Sequence, residues 1–177
     1  MIEIARIKTT DVEKYNYMEN LLVESFPREE YRELDELRKY TDNYSNFHNN
    51  IIINERISIG LITFWNFGNF SYIEHFAIDP QQRNGGYGKK VLSHLCTQLN
   101  CPIVLEVEQP ITEIAKRRIN FYEKIKFTIW DREYYQPAYR IEDSSIPMYL
   151  MEYGNLDGEI DPIEVRKIIH HQVYGIK

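Results

Sequence analysis

The chain has 177 residues, of which 43% are hydrophobic and 27% are charged, which is the mixture of an ordinary globular domain. Its net charge of −6 argues against a dedicated nucleic-acid binder, which usually carries a basic face, and is compatible with a cationic substrate. Two cysteines are too few for a disulfide framework or a cysteine-based zinc site, and the sequence has no apolar signal core and no run of 18 apolar residues, so we expect one soluble cytoplasmic domain over residues 1–177 that binds neither membrane nor metal.

Hydrophobic spacing predicts strands and helices in alternation. The predicted strands cover residues 2–8, 51–53, 57–67, 72–78, 103–108, 127–130 and 146–153. The predicted helices cover residues 12–26, 29–40, 112–125 and 162–173, and a further helix begins after the glycines and has its apolar positions between residues 91 and 99. Residues 134–139 are predicted to form a loop. This order indicates a single α+β or α/β domain in which the unit from 72 to 108 is a strand–helix–strand crossover.

The segment from Asp79 to Leu92 carries the strongest functional pattern. A predicted strand ends before it, the glycines at 85, 86 and 88 follow closely, and a helix begins. The first N–H groups of a helix lack internal partners and form an anion site, which would also offset the unfavourable position of Lys89 and Lys90 near a helix N-terminus. A plain turn with solvated lysines is the alternative. The spacing matches neither the ATP-type phosphate loop nor the dinucleotide fingerprint.

Arg83-Asn84-Gly85-Gly86-Tyr87-Gly88 matches the pattern [QR]-x-x-G-x-[GA], the coenzyme A loop of the GNAT superfamily of N-acetyltransferases. The strand Tyr72–Pro80 before it and Phe121–Phe127 after it resemble the flanking motifs of that superfamily. The resemblance implies a mixed, mostly antiparallel, twisted central sheet flanked by helices. The sequence departs from the family pattern at Ala115, where many members have Asn, and at Lys126, where glycine is usual and a different turn is therefore expected.

The resemblance further implies acetyl transfer from acetyl-CoA to the primary amine of a small molecule or peptide, by direct attack in a ternary complex. The residues implied in cofactor binding are Phe76, Ala77, Ile78, Arg83, Asn84, Gly85, Gly86, Tyr87, Gly88 and Lys89. Among these, the backbone of Phe76 and Ile78 would bind the pantetheine arm, and the N–H of Phe76 or Ala77 would stabilise the carbonyl oxygen. Lys116, Arg117 and Arg118 are expected to form a solvated basic face rather than a phosphate site.

Acetyl transfer needs a base, because an alkyl amine with a pKa of about 10.4 is almost fully protonated near neutral pH, and an acid for the leaving thiolate. The resemblance implies Tyr122 as the acid, although helical spacing with Ile119 and Ile125 also allows a core role. Glu74 is the candidate base, because it stands four residues before Ile78 and is expected to face the substrate; a surface carboxylate is the alternative. Glu106 and Glu108, which share one strand face, are candidates for substrate binding or for the base.

Two other interpretations stay open at this point. A non-catalytic domain of the same fold would sense acyl-CoA or bind a partner, and a domain of another class would bind a different phosphate ligand. The acceptor, the choice between monomer and homodimer, and a pocket role for Tyr134, Tyr135 and Tyr139 are open as well.

Overall fold

The computed structural model describes residues 2–130, 132–154, 156 and 160–176. The helices are α1 Val12–Ser25, α2 Leu34–Asn43, α3 Tyr87–Leu99, α4 Glu113–Glu123 and α5 Pro162–Gln172. The strands are β1 Ile2–Arg6, β2 Phe47–Asn54, β3 Ile57–Asn66, β4 Ser71–Ile78, β5 Ile103–Glu108, β6 Thr128–Ile129, β7 Tyr134–Gln136 and β8 Ile146–Tyr153. No helix within these described ranges is long and apolar enough to cross a membrane.

The strands form one mixed sheet in the order β1-β2-β3-β4-β5-β8-β6, and β7 pairs with β8 as well. Every pair is antiparallel except β4 and β5, which run parallel and are joined through α3. The mostly antiparallel sheet and its single crossover unit are therefore confirmed.

Alternating strand residues divide the core into two clusters on opposite faces of the sheet. The first cluster includes Leu22 of α1, Leu37 of α2 and Ile169 of α5, and the second includes Leu95 of α3 and Ile119 of α4. Helices α1, α2 and α5 thus cover one face, and α3 and α4 cover the other.

The strand predicted over residues 51–53 begins earlier, at Phe47. Two other predicted boundaries are wrong, and side-chain burial explains both. The helix expected over 29–40 begins only at Leu34, because Tyr31 and Arg32 lie on non-helical backbone with their side chains buried in the core. Residues 134–136, predicted as loop, form β7, since pairing with β8 buries Tyr134 and Gln136.

Candidate functional site

A cleft opens where β4 and β5 separate. The two strands pair only from Ser71–Ile73 to Ile103–Leu105, although β4 continues to Ile78 and β5 to Glu108. The resulting cavity has a volume of about 730 Å³. Its walls include the far half of both strands, the start of α3, one face of α4 and Tyr139.

A β-bulge in β4 determines which groups face this cleft. The register with β3 passes from Thr63–His75 to Phe64–Ile73, so Glu74 is the extra residue. Beyond the bulge, the N–H groups of His75 and Asp79 bond to β3, at 3.1 Å to Thr63 Oγ1 and 2.9 Å to the Ile59 carbonyl.

Because successive strand residues direct their N–H groups to opposite sides, those of Phe76 and Ile78 point away from β3 and toward the cleft. The N–H of Ala77 points toward β3. Of the two residues expected to donate to the carbonyl oxygen, the geometry therefore favours Phe76.

The loop before α3 presents unsatisfied N–H groups to the same cleft. Gly86 precedes the helix with φ of 68°, and no side chain caps the helix N-terminus. A Cβ added at Gly86 would meet no atom within 4 Å, whereas one at Gly88 would lie 3.2 Å from Phe121 Cζ. Gly86 thus leaves open space at an uncapped helix start, which is the geometry of an anion site.

The basic residues of this region are arranged around that loop. Arg83 Nε donates to the Ile78 carbonyl at 3.1 Å, and Arg83 and Lys89 both line the cleft. From α4, Arg117 and Arg118 line it too, and Arg117 is exposed, as expected for a solvated basic face. Lys116 instead pairs with Glu113 at 2.9 Å on the exposed side of the helix.

Tyr122 of α4 lines the cleft with its ring packed against Phe121 and Phe127. Its hydroxyl makes no hydrogen bond with any residue that the structure describes. Burial raises the pKa of Tyr122 to about 12, although the charge of Arg118 opposes the shift. The hydroxyl therefore keeps its proton at neutral pH and is free to donate a hydrogen bond.

The Glu74 side chain is only 1% exposed and forms an ion pair with Arg32. Its oxygens also accept hydrogen bonds from Tyr139 Oη and Trp65 Nε1, each at 2.7 Å. Burial alone would raise the pKa of Glu74, but the charge of Arg32 and these donors outweigh it, so the pKa lies below its ordinary value.

The spacing argument used for Glu74 is wrong, because the bulge interrupts the alternation. Ile78 packs against the second core cluster, whereas Glu74 contacts Trp65 of the first. Glu74 nevertheless contributes to the cleft wall.

Glu106 is the second carboxylate of the cleft, and it has no basic partner among the described residues. Its oxygens accept hydrogen bonds from the hydroxyls of Tyr134 and Tyr174, the latter at 2.8 Å. Burial raises the pKa of Glu106 to about 7, although the tyrosine hydrogen bonds oppose the shift.

Two further acidic residues, Glu108 and Glu30, also line the cleft. Glu108 pairs with Arg118 at 2.9 Å, and both side chains are about two-fifths exposed. Glu30, from the turn after α1, also lines the cleft, and burial together with the charge of Glu108 raises the pKa of Glu30 to about 7.

The sequence patterns did not identify Glu30, Arg32 or Tyr174. Arg32 stands in a run of charged residues that suggests a solvated helix, yet it lies over the rings of Tyr40 and Tyr139, at 4.3 and 5.3 Å from their centroids. Of the three late tyrosines, Tyr139 lines the cleft, Tyr134 donates a hydrogen bond to Glu106, and Tyr135 is exposed. The described residues contain no cluster of three or more potential metal ligands.

Residues 15–127 match the model of the acetyltransferase (GNAT) family. The chain is 57% identical to a Bacteroides thetaiotaomicron protein described as an acetyltransferase of the GNAT family, with 99% of both chains covered and a TM-score of 0.95. No significant match was found among curated protein sequences.

More distant solved structures share the fold. The ribosomal-protein-S18-alanine N-acetyltransferase of Escherichia coli is 18% identical with a TM-score of 0.61, covering 88% of this chain and 97% of that one. A Bacillus subtilis acetyltransferase, solved in complex with CoA, is 12% identical with a TM-score of 0.56, covering 85% of this chain and 95% of that one.

Proposed function

Because the chain belongs to the GNAT acetyltransferase family, we propose that it transfers an acetyl group from acetyl-CoA to a primary amine by direct attack within a ternary complex. One observation carries this proposal. A single cleft combines an uncapped helix start, strand N–H groups that face away from β3, a tyrosine hydroxyl and a carboxylate, and among the described residues the hydroxyl has no partner and the carboxylate has no basic partner.

The residues present fit acetyl-CoA, which supplies the activated acetyl group when bound. The N-terminus of α3 and Arg83, with the open space at Gly86, suit the pyrophosphate, and Asn84, Gly85, Tyr87, Gly88 and Lys89 belong to the same loop and helix start. The cleft-facing backbone of Phe76 and Ile78 suits the amides of the pantetheine arm, as an added strand would.

Three groups perform the chemistry in this proposal. The Phe76 N–H stabilises the negative charge that develops on the carbonyl oxygen. Tyr122 acts as the acid by donating a hydrogen bond to the departing thiolate. Because the thiol, with a pKa of about 8.5, is a stronger acid than this phenol, the proton stays largely on Tyr122 and the hydrogen bond stabilises the negative charge on the sulfur. A carboxylate accepts the proton of the attacking amine.

We favour Glu106 over Glu74 as that carboxylate. A base works best when its pKa lies near the working pH, and the pKa of about 7 at Glu106 meets this condition. Glu74 is already neutralised by Arg32 and occupied by two further donors, so it is better suited to hold Tyr139 and Arg32 in the cleft wall.

The acidic lining favours a cationic acceptor, with Glu108 and Glu30 contributing to its attraction. Structures that share the fold include a ribosomal-protein-S18-alanine N-acetyltransferase and a spermidine N-acetyltransferase, so both protein and small-molecule amines are candidate acceptors. A screen of amines with acetyl-CoA, read by release of the free thiol, tests the function.

The screen should be run beside thermal shifts with CoA, ATP and NAD. We expect acetylation of at least one amine. We also expect that CoA raises the thermal midpoint of the protein and that ATP and NAD do not. Stabilisation by CoA without acetylation of any amine would indicate an acyl-CoA sensor, and no stabilisation by CoA would contradict the proposal.

A further inference from the structure

The turn after α5 contacts the candidate active site through Tyr174. Tyr174 follows α5 and lies 68 residues from Glu106, yet its hydroxyl donates to Glu106 Oε2 at 2.8 Å. This turn also lies outside the residues 15–127 that match the family model. Nothing in the loop or strand motifs of the sequence points to it.

Several contacts fix the position of Tyr174. Gly175 takes φ of 69° and its N–H bonds to the His171 carbonyl at 3.2 Å, which ends the helix in the left-handed cap geometry. The Tyr174 ring lies 4.8 Å from the ring of Tyr139, and the carbonyl of Val173 accepts from Arg32 Nη1 at 3.4 Å. The side chain is therefore held from the helix end and from the cleft wall.

The hydroxyl of Tyr174 belongs to a directed chain of hydrogen bonds. It lies 3.1 Å from the hydroxyl of Tyr72. Since Tyr174 gives its only proton to Glu106, it must accept from Tyr72, and a hydroxyl that accepts one bond becomes a stronger donor of the next. Such a chain stabilises the ionised form of Glu106.

From this geometry we propose that Tyr174 is a positioning residue of the active site, which holds the Glu106 carboxylate in the orientation and charge state of a base. The inference rests on the proposed function of Glu106. The ionisable groups that face this carboxylate from the surrounding elements are Tyr72 and Glu74 of β4, Tyr134 of β7, Tyr139 and Tyr174.

The test compares the full chain with Tyr174→Phe, which removes only the hydroxyl. The control is Tyr135→Phe, because Tyr135 is exposed and its hydroxyl bonds to Glu133 instead. Carbon-13 NMR of protein labelled at the glutamate carboxyls gives the titration of Glu106, whose signal is assigned by its loss in Glu106→Gln. The thermal midpoint of each sample verifies the fold.

Loss of a hydrogen bond to the charged form should raise the titration midpoint of Glu106 by about one unit in Tyr174→Phe and leave it unchanged in Tyr135→Phe. An unchanged midpoint in a folded Tyr174→Phe protein would overturn the inference. This readout does not depend on finding an acceptor.

Kinetics provide the second readout. If Glu106 is the base, kcat/KM of Tyr174→Phe should fall about fivefold at pH 7 and approach that of the parent protein at high pH, since less of the carboxyl is ionised at neutral pH. A shifted NMR midpoint with an unchanged pH–rate profile would support the positioning role and overturn Glu106 as base. The two failures are thus distinguishable.

Discussion

Tyr122 combines a buried ring with a hydroxyl that no described residue engages. A buried phenol normally finds a partner, so a free hydroxyl at the cleft is best explained by a role toward bound substrate. We predict that Tyr122→Phe lowers kcat by about 100-fold, because removing one hydrogen-bond donor from a developing negative charge costs roughly 10²–10³ in kcat. The measurement is steady-state kinetics with acetyl-CoA, together with acetyl-CoA affinity, which should change little.

Tyr44→Phe is the matched control, because Tyr44 is exposed and lies outside the cleft lining. A Tyr122→Phe protein that turns over within about a factor of two of the parent would show that the ring only packs and that the thiolate leaves unaided.

The two carboxylates of the cleft should respond differently to amide substitution. Glu106→Gln is expected to lower kcat/KM strongly near pH 7, and the deficit should shrink as the pH approaches the pKa of the amine, where a base is no longer needed. Glu74→Gln should give a pH profile parallel to that of the parent protein, because its ion pair with Arg32 makes it a poor base. The reverse pattern would restore Glu74 as the base.

Unfolding provides a check of the same prediction without an acceptor. Burial raises the pKa of Glu106 from 4.5 to about 7 in the folded chain, so this carboxyl contributes stability below about pH 4.5 that is lost as the pH rises through about 7. Glu106→Gln should therefore increase the thermal midpoint relative to the parent protein at pH 8 and have little effect at pH 4.

The sequence identified several residues that line the cleft but not which side chains they contact. Strand alternation assigns Glu74 to the side of Ile78, and only the bulge at Glu74 explains why it contacts Trp65 and Arg32 instead. A bulge depends on tertiary pairing, and the pairing of Glu74 with an arginine 42 residues away has no local sequence signal.

At the scale of elements, the start of α3 is the proposed pyrophosphate site. Gly86→Asp places a side chain and a negative charge in the open space beside the uncapped N–H groups. We predict that acetyl-CoA affinity, measured by calorimetry, falls well over tenfold through steric block and charge repulsion.

Gly86→Asn separates these causes, because it has nearly the same shape without the charge, and Asn and Asp both tolerate a positive φ. It should weaken binding less than Asp does. Gly68→Asp is the fold control, since Gly68 has a φ of 88° in a turn with open space and does not line the cleft. Unchanged affinity in a folded Gly86→Asp protein would remove the loop assignment.

The turn after α4 shows how a departure from the family pattern is accommodated. A different turn is expected because Lys126 stands where the family usually has glycine. Lys126 instead adopts a φ of 75°, a conformation that favours glycine, so a lysine occupies a glycine-type turn. Lys126→Gly should raise the free energy of unfolding by about 0.5–1 kcal/mol, because relief of the left-handed strain exceeds the entropic cost of glycine.

Urea unfolding of Lys126→Gly measures this effect. Lys124→Gly is the matched control, because Lys124 has a right-handed φ of −63° at the end of α4 and glycine there should destabilise the protein. A Lys126→Gly protein that is less stable than the parent would contradict the strain argument.

The long periodic elements were predictable because local spacing determines them, whereas the short ones depend on distant partners. Helices α1, α3, α4 and α5 lie close to their predicted positions. Residues 134–136 become a strand only through β8, and Tyr31 and Arg32 leave the helix only because their side chains are buried against distant parts of the chain.

At the scale of the whole molecule, the cleft is assembled from both layers of the fold. Helices α3 and α4 supply the proposed cofactor side, whereas the turn after α1, Tyr139 and the end of α5 contribute on the opposite side. Neither free cysteine lines the cleft, since Cys96 packs in the core and Cys101 contacts Ser71. This arrangement favours direct transfer between two bound substrates over an acetylated cysteine.

Initial-rate kinetics, with acetyl-CoA and the best amine from the screen varied together, distinguish direct transfer from transfer through an acetylated enzyme. Direct transfer in a ternary complex predicts intersecting double-reciprocal lines, with the acetyl group found only on the amine. Parallel lines, together with an acetylated form of the enzyme detected by mass spectrometry in the absence of the amine, would contradict the proposed mechanism.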